Sequence, residues 1–146
     1  MLKIFTITCH DVYNVGASLQ AYALQHFLRS RGADAFIIDY KPEYLSSHYR
    51  LWLVGNPKYN RPIFREAYLL AKLPDRIRAL RSEKKRRFDE FRNDKLYLTK
   101  RYKSFQELCR DCPTGDCYIA GSDQIWNPFF PNGKDPAFFL QFAPQS

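Results

Sequence analysis

Near the C-terminal end of the chain stands Tyr118-Ile119-Ala120-Gly121-Ser122-Asp123-Gln124-Ile125-Trp126-Asn127-Pro128. It begins as a short apolar run and breaks into small and polar residues. A buried strand that ends in Gly121-Ser122-Asp123 sets its polar groups at the carboxyl edge of a sheet. In open α/β sheets that edge is where ligands bind. Trp126, Asn127 and Pro128 then close the turn with a rigid ring and a backbone stop. The plainer alternative is a tight turn in which Asp123 caps the next helix and Trp126 is ordinary core.

The start of the chain supplies a partner for this strand. Leu2 to Thr8 is short, β-branched and aromatic, with apolar residues on both faces, as in a buried parallel strand. His10 to Gly16 reads as a loop and Ala17 to Arg31 as a helix that Gly32 stops. Leu19, Tyr22, Ala23, Leu24 and Phe27 are expected on its apolar face, with Gln20, Gln25, Arg29 and Arg31 outward. Ala35 to Tyr40 is a second buried strand, with Asp39 at its C-terminal end. The three elements form a βαβ unit, whose crossover is right-handed. Its first loop meets a helix N-terminus, which favours an anion. Asn14 is the expected cap, and Gly16, Ala17 and Ser18 are small enough for a ligand to approach the backbone. A single glycine here is a poor match to a dinucleotide fingerprint. A purely structural strand–helix turn is the alternative.

The middle is less regular. Residues 41–62 show no period and contain three prolines, which suggests a long excursion of the kind that often carries function. His48, Arg50 and Arg61 are either anion contacts or solvated surface, and Trp52 with its apolar neighbours is a docking candidate. Ile63 to Leu73 reads as helical, Pro74 as an interruption, and Asp75 to Phe91 as a second helix. Ile77, Leu80, Lys84, Phe88 and Phe91 form its stripe. Arg76, Arg78, Arg81, Lys85, Arg86 and Arg87 make its other faces basic. Residues 76–87 are thus either a solvated face or a contact for an anionic membrane surface. No recognition module points to nucleic acid. Leu96 to Thr99 reads as extended, and Ser104 with Glu107 as a capping box. Cys117 to Gly121 and Ala137 to Phe142 read as further extended segments.

With 146 residues, 45% apolar and 26% charged, the chain fits one globular domain with a proper core. The net charge of +8 and pI of about 9.4 favour acidic partners without choosing among them. No apolar run approaches the ~20 residues of a membrane span, and the N-terminus lacks a signal-peptide pattern. A cytoplasmic protein is expected, with the inner membrane face as a candidate location. Cys109, Cys112 and Cys117 begin like a metal site but lack a fourth ligand nearby, so free thiols are expected and no metal is assigned.

Two segments together carry a resemblance. Asn14-Val15-Gly16-Ala17-Ser18-Leu19-Gln20-Ala21-Tyr22-Ala23-Leu24-Gln25 follows the first strand, and Gly121 to Pro128 follows about a hundred residues later. Between them lie Ile38-Asp39-Tyr40-Lys41-Pro42 and the spaced Phe88, Phe91, Leu96, Leu98 and Thr99. The chain resembles the N-terminal part of the polysaccharide pyruvyl transferase family over nearly its whole length.

The resemblance implies an α/β, Rossmann-like three-layer domain with a mainly parallel sheet, the N-terminal half of a GT-B-like enzyme. Residues 1–146 would be that single domain, a fragment with a helical or irregular insertion at about 41–93. The implied reaction moves the enolpyruvyl skeleton of phosphoenolpyruvate onto two sugar hydroxyls as a ketal, in exopolysaccharide or cell-surface polysaccharide synthesis. No cofactor is implied; phosphoenolpyruvate is the donor substrate, and the acceptor is a sugar or a lipid-linked saccharide. Asp123 is the candidate base or sugar-orienting group. Asn14, Gly16, Ala17 and Ser18 would line one side of the cleft, and Ser122, Gln124, Trp126 and Asn127 the other. The donor-binding cations are expected largely in a second half, so these 146 residues alone are expected to be inactive. The acceptor and the oligomeric state stay open, a homo-oligomer being one option. The competing readings are a non-catalytic nucleotide- or sugar-binding module and a basic membrane-peripheral adaptor.

Overall fold

The computed structural model describes residues 1–45, 66, 70–75, 77–78, 81–121 and 124–144. Four strands, β1 (Lys3–Ile7), β2 (Asp34–Tyr40), β3 (Leu98–Tyr102) and β4 (Cys117–Ala120), form a sheet in the order β3-β2-β1-β4. Every pairing is parallel. Between them run α1 (Val15–Ser30), α2 (Glu83–Lys95) and α3 (Phe105–Arg110), with further helical residues at 70–75 and 77–78. Three single-turn 3-10 helices, Gln124–Trp126, Pro131–Lys134 and Pro136–Phe139, follow β4. The chain is therefore an α/β domain of the Rossmann-like, three-layer kind.

Alternation along the strands divides the core in two. Phe5, Ile7, Ile38 and Tyr40 point to one face, with Tyr102, Leu108, Ile125, Phe138 and Phe142. Ile37 points to the other, with Ala21 and Leu96, and Tyr22, Phe91 and Leu98 at its margin. A row of rings crosses three strands: Phe5 lies opposite Phe36 on β2 and Tyr118 on β4, and stacks on each at 5.9 Å.

Helix α1 is capped as expected: the Asn14 side chain accepts from the Ala17 amide at 3.2 Å. Gly32, at φ +85°, ends the unit in the left-handed region that glycine enters without strain. The buried face differs from the sequence expectation. Ala17, Ser18, Ala21 and Gln25 are buried, whereas Leu19 and Phe27 are half exposed. Small residues let α1 lie close on the sheet, and Gln25 meets backbone there. Its Nε2 donates to the carbonyls of Ala35 (3.1 Å) and Tyr97 (2.8 Å), and its Oε1 accepts from the Tyr97 amide (3.0 Å). A residue read as outward thus ties α1 to β2 and to the entry of β3.

Three further expectations change. The helix expected over Asp75–Phe91 is broken: residues 70–75 and 77–78 are helical, and a new helix starts at Glu83. Ser82 forces the restart by accepting from the Lys85 amide at 3.2 Å. Pro74 lies within the helical residues rather than interrupting them. Ala137 to Phe142 is not extended. Asp135 caps Ala137 (3.0 Å), Pro136 opens a 3-10 turn, and Leu140 at φ +58° ends it, so Phe138 and Phe142 reach the core from a coiled segment. The Ser104 cap forms at 3.2 Å, but Glu107 reaches back to the Lys103 amide (2.7 Å). His48, Arg50, Trp52 and its neighbours, Arg61, Arg76 and Leu80 lie outside the described residues, as does most of the helix read over Ile63–Leu73.

Gln25→Ala removes three hydrogen bonds from a buried site: the Ala35 carbonyl keeps Arg29 (3.3 Å) and the Tyr97 carbonyl keeps the Ile37 amide (2.9 Å), but the Tyr97 amide loses its partner. It is expected to lower unfolding stability in urea by about 2–3 kcal/mol. An unchanged midpoint would show that the amide bridge contributes nothing.

Candidate functional site

The strand order places the site. β1 leads to β2 on one side, and the chain later returns to place β4 on the other side of β1, so the order reverses between β1 and β4. Ligands of open α/β sheets bind outside the carboxyl ends at such a reversal. The Gly121 amide donates to the Ile7 carbonyl at 2.7 Å. A Cβ on Gly121 would lie 2.7 Å from the Thr8 Cβ, so only glycine permits this approach. Thr8 and Gly121, where the chain leaves β1 and β4, therefore lie side by side.

Around that edge lies a charged cluster. His10 and Asp11 follow β1, Asp39 and Lys41 close β2, Arg101 sits near the end of β3, and Arg92 comes from α2. Asp11 is nearly buried, and its Oδ2 receives Lys41 Nζ at 2.6 Å, Arg101 at 2.9 Å and Arg92 at 3.0 Å. Asp39 receives Arg101 Nε on one oxygen (3.0 Å) and His10 Nε2 on the other (3.1 Å). The other nitrogen of the buried His10 ring lies 3.3 Å from the Thr8 carbonyl.

A β-bulge selects which cation reaches Asp39. Leu98 pairs with Ile37, but Arg101, three residues on, pairs with Asp39, two residues on. Regular pairing would put Lys100 there. The extra residue turns Arg101 to Asp39 instead, and Thr99 Oγ1 covers the Asp39 amide at 3.0 Å.

The loop between β1 and α1 is pinned as well. Tyr13, at φ +52°, donates to Asp89 at 3.1 Å, packs edge-on against Phe88, and has Lys41 and Lys85 over its ring. Lys85 also pairs with Asp89. On the far side of the edge, Tyr40 and Tyr44 both donate to Asp135, at 2.7 and 2.5 Å. Burial, then the Asp135 carboxylate, push both phenols well above their ordinary range.

The residues picked out from the sequence divide as follows. Asn14 is spent on the α1 cap. Ala17 and Ser18 are buried, and their amides are taken by Asn14, at 3.2 and 3.0 Å, so the first turn of α1 does not present them to an anion. Gly16 is exposed in that turn. Ser18 also lines a cavity of about 260 Å³ between α1 and α2, with Val15, Leu19, Lys84, Arg87, Phe88 and Phe91. Trp126 donates to the Phe138 carbonyl at 2.9 Å and leaves its ring half exposed. Asn127 accepts from the Phe129 amide at 3.1 Å, and Asn132 holds the Gln124 carbonyl at 2.8 Å. Ser122 and Asp123 lie outside the described residues.

The basic helix face carries its own counter-charges: Arg86 pairs with Glu90 at 2.7 Å and Arg87 with Glu83 at 2.6 Å. Such exposed i,i+4 pairs are the habit of a solvated helix. All four cysteines are free thiols. Among the described residues no set of three or more His, Cys, Asp or Glu is placed to hold a metal, and no helix is long and apolar enough to cross a membrane.

Charged groups thus gather at the carboxyl edge of a parallel α/β sheet, beside a strand-order reversal. Comparison with protein families makes the class specific: the family model described as polysaccharide pyruvyl transferase matches residues 14–144, and the chain belongs to that family. No curated protein and no solved structure matches it. The match begins after His10 and Asp11, two of the residues that sequence reasoning passed over as loop. Lys41, Arg92 and Arg101 were passed over too; the available signal was charge at the carboxyl ends of three successive parallel strands.

Asp39 sets a pH dependence. Burial alone would raise its carboxyl; hydrogen bonds from His10 and Arg101 outweigh burial and hold it at about 2, below the ordinary 3.8. A depressed carboxyl contributes stability that is present above its ordinary value and lost as pH falls towards its folded one. Asp39→Asn is expected to lower stability at pH 7 by about 2 kcal/mol, the equivalent of that shift. The gap to wild type should close between about pH 4 and pH 2. A gap constant across that window in acid-dependent denaturation would contradict the assignment.

Proposed function

We propose that this chain is the acceptor-side domain of an enzyme that transfers the pyruvyl group of phosphoenolpyruvate to two hydroxyls of a sugar, forming a ketal in the assembly of an exopolysaccharide or cell-surface polysaccharide. Family membership over residues 14–144 supports the transferase and the saccharide acceptor. The observation that supports the reading further is the Gly121–Ile7 contact, which brings the start of the late motif beside the end of β1 at the carboxyl edge.

The chemistry assigns the parts. Protonation of the donor methylene generates an oxocarbenium-like carbon; one sugar hydroxyl attacks it while a base takes the hydroxyl proton, phosphate then leaves by cleavage of its C–O bond, and the second hydroxyl adds to the same carbon with loss of its proton to close the ketal. Asp123, two residues beyond Gly121, is the carboxylate available in the late turn for that base or for orienting the sugar. Ser122, Gln124 and Asn127 offer hydrogen bonds to sugar hydroxyls, and the half-exposed ring of Trp126 offers a stacking face. Gly16 keeps the opposite turn low. The donor is a substrate, and the scheme uses no cofactor.

Asp123→Ala is tested in the full-length protein that carries this domain. Phosphate release from phosphoenolpyruvate with an acceptor sugar is expected to fall by about 10²-fold or more with acceptor binding retained. Unchanged turnover would remove Asp123 from the chemistry, and absence of phosphate release by the unaltered full-length protein with any saccharide would overturn the reading.

A further inference from the structure

Three cations from three elements end on one carboxylate oxygen, Asp11 Oδ2, at 2.6–3.0 Å. Lys41 and Arg92 keep part of their side chains in contact with solvent, and Arg101 is 36% exposed, so the cluster opens outward. Among the described residues the carboxylates paired with Lys41, Arg92 and Arg101 are those of Asp11 and Asp39, two negative charges against three positive ones. Two polar atoms among the described residues are buried without a partner, and both belong to this edge: Arg92 Nε and Thr8 Oγ1. A donor-rich cluster of cations whose existing anion does not satisfy all its donors is suited to a second anion.

We infer that Lys41, Arg92 and Arg101 form a binding site for a substrate phosphate group, and that Asp11 is the internal anion that keeps the three cations gathered when the site is empty. An incoming phosphate brings three acceptor oxygens against the one or two of Asp11. It takes donors of Arg101 and Lys41 that now serve Asp11, with Arg92 holding the cluster from its buried side. The site lies on the first-loop side of the edge, where Tyr13 and the start of α1 would register its occupancy. The inference rests on the proposed function only for the presence of a phosphorylated substrate; the binding itself needs no turnover.

The test is a nuclear magnetic resonance titration of the 146-residue chain with millimolar inorganic phosphate, chloride holding the ionic strength constant. Saturable shifts are expected at the Arg92 and Arg101 Nε–H signals and at the amides of residues 8–14. Lys41→Gln with Arg101→Gln is expected to weaken apparent affinity by about tenfold or more, and Asp11→Asn to tighten it several-fold. Glu90→Gln, on the solvated face of α2, is the control and should leave affinity unchanged. If Asp11→Asn fails to fold, the Lys41 and Arg101 variants decide. Shifts that do not saturate, or an affinity that survives loss of Lys41 and Arg101, overturn the site. Tighter binding of phosphoenolpyruvate than of phosphate assigns the site to the donor. Tighter binding of pyrophosphate assigns it to a diphosphate-carrying acceptor. If phosphate binds here but the full-length protein releases none from phosphoenolpyruvate, the site stands and the proposed reaction fails.

Discussion

The convergence of Lys41, Arg92 and Arg101 on Asp11 is the interaction on which the rest of the edge depends. It joins the ends of β1, β2 and β3 to α2 through one oxygen. Because Asp11 is nearly buried, its charge would be costly if unpaired, and removing one side of such a cluster costs far more than the intact cluster is worth as net stability. The same economy holds one shell deeper, where Asp39 is shared by His10 and Arg101. The effect is positional. The loop from His10 to Asn14, which includes a non-glycine residue in the left-handed region, has few conformations compatible with all these partners. That loop delivers the capped start of α1.

Two backbone features bring the charges together. Parallel pairing of β4 with β1 makes the ends of the two strands neighbours, and Gly121 lets them touch. The bulge in β3 advances the register by one residue, so Arg101 rather than Lys100 meets Asp39. The chemistry of the edge therefore depends on a missing side chain and an extra residue. Opposite this edge, Asp135 holds the two tyrosines that close β2 and fixes the segment carrying Phe138. Phe138 in turn accepts the Trp126 indole through its carbonyl, so the late turn is supported from behind by the core.

Much of this was legible in the sequence, for identifiable reasons. Short β-branched runs with apolar residues on both faces marked the buried parallel strands. Asn14, Gly32 and Ser104 marked helix ends through local chemistry that tertiary context did not override. What misled was also physical. Gln25 is polar yet buried, because two neighbouring strands leave backbone groups that an amide can satisfy; amphipathic periodicity has no means of seeing that. The aromatic run at Phe138–Phe142 looked extended because rings favour strands, but Asp135 and Pro136 wrote a turn into it first. Ser82 broke a helix whose stripe looked continuous. The site was half legible. The late turn and the small residues at the start of α1 were visible as motifs, whereas His10, Asp11, Lys41, Arg92 and Arg101 are scattered through 92 residues, gathered only by the strand order and by an unsignalled bulge.

The central claim is that Asp11 and its cations act as one unit that shapes the carboxyl edge. A double-mutant cycle between Asp11→Ala and Arg101→Ala, read by urea unfolding with both single variants folded, measures this directly. The account predicts a coupling of about 1–3 kcal/mol, as for residues in one charged network. Additivity to within about 0.5 kcal/mol would show that the two side chains do not depend on each other, and would contradict it.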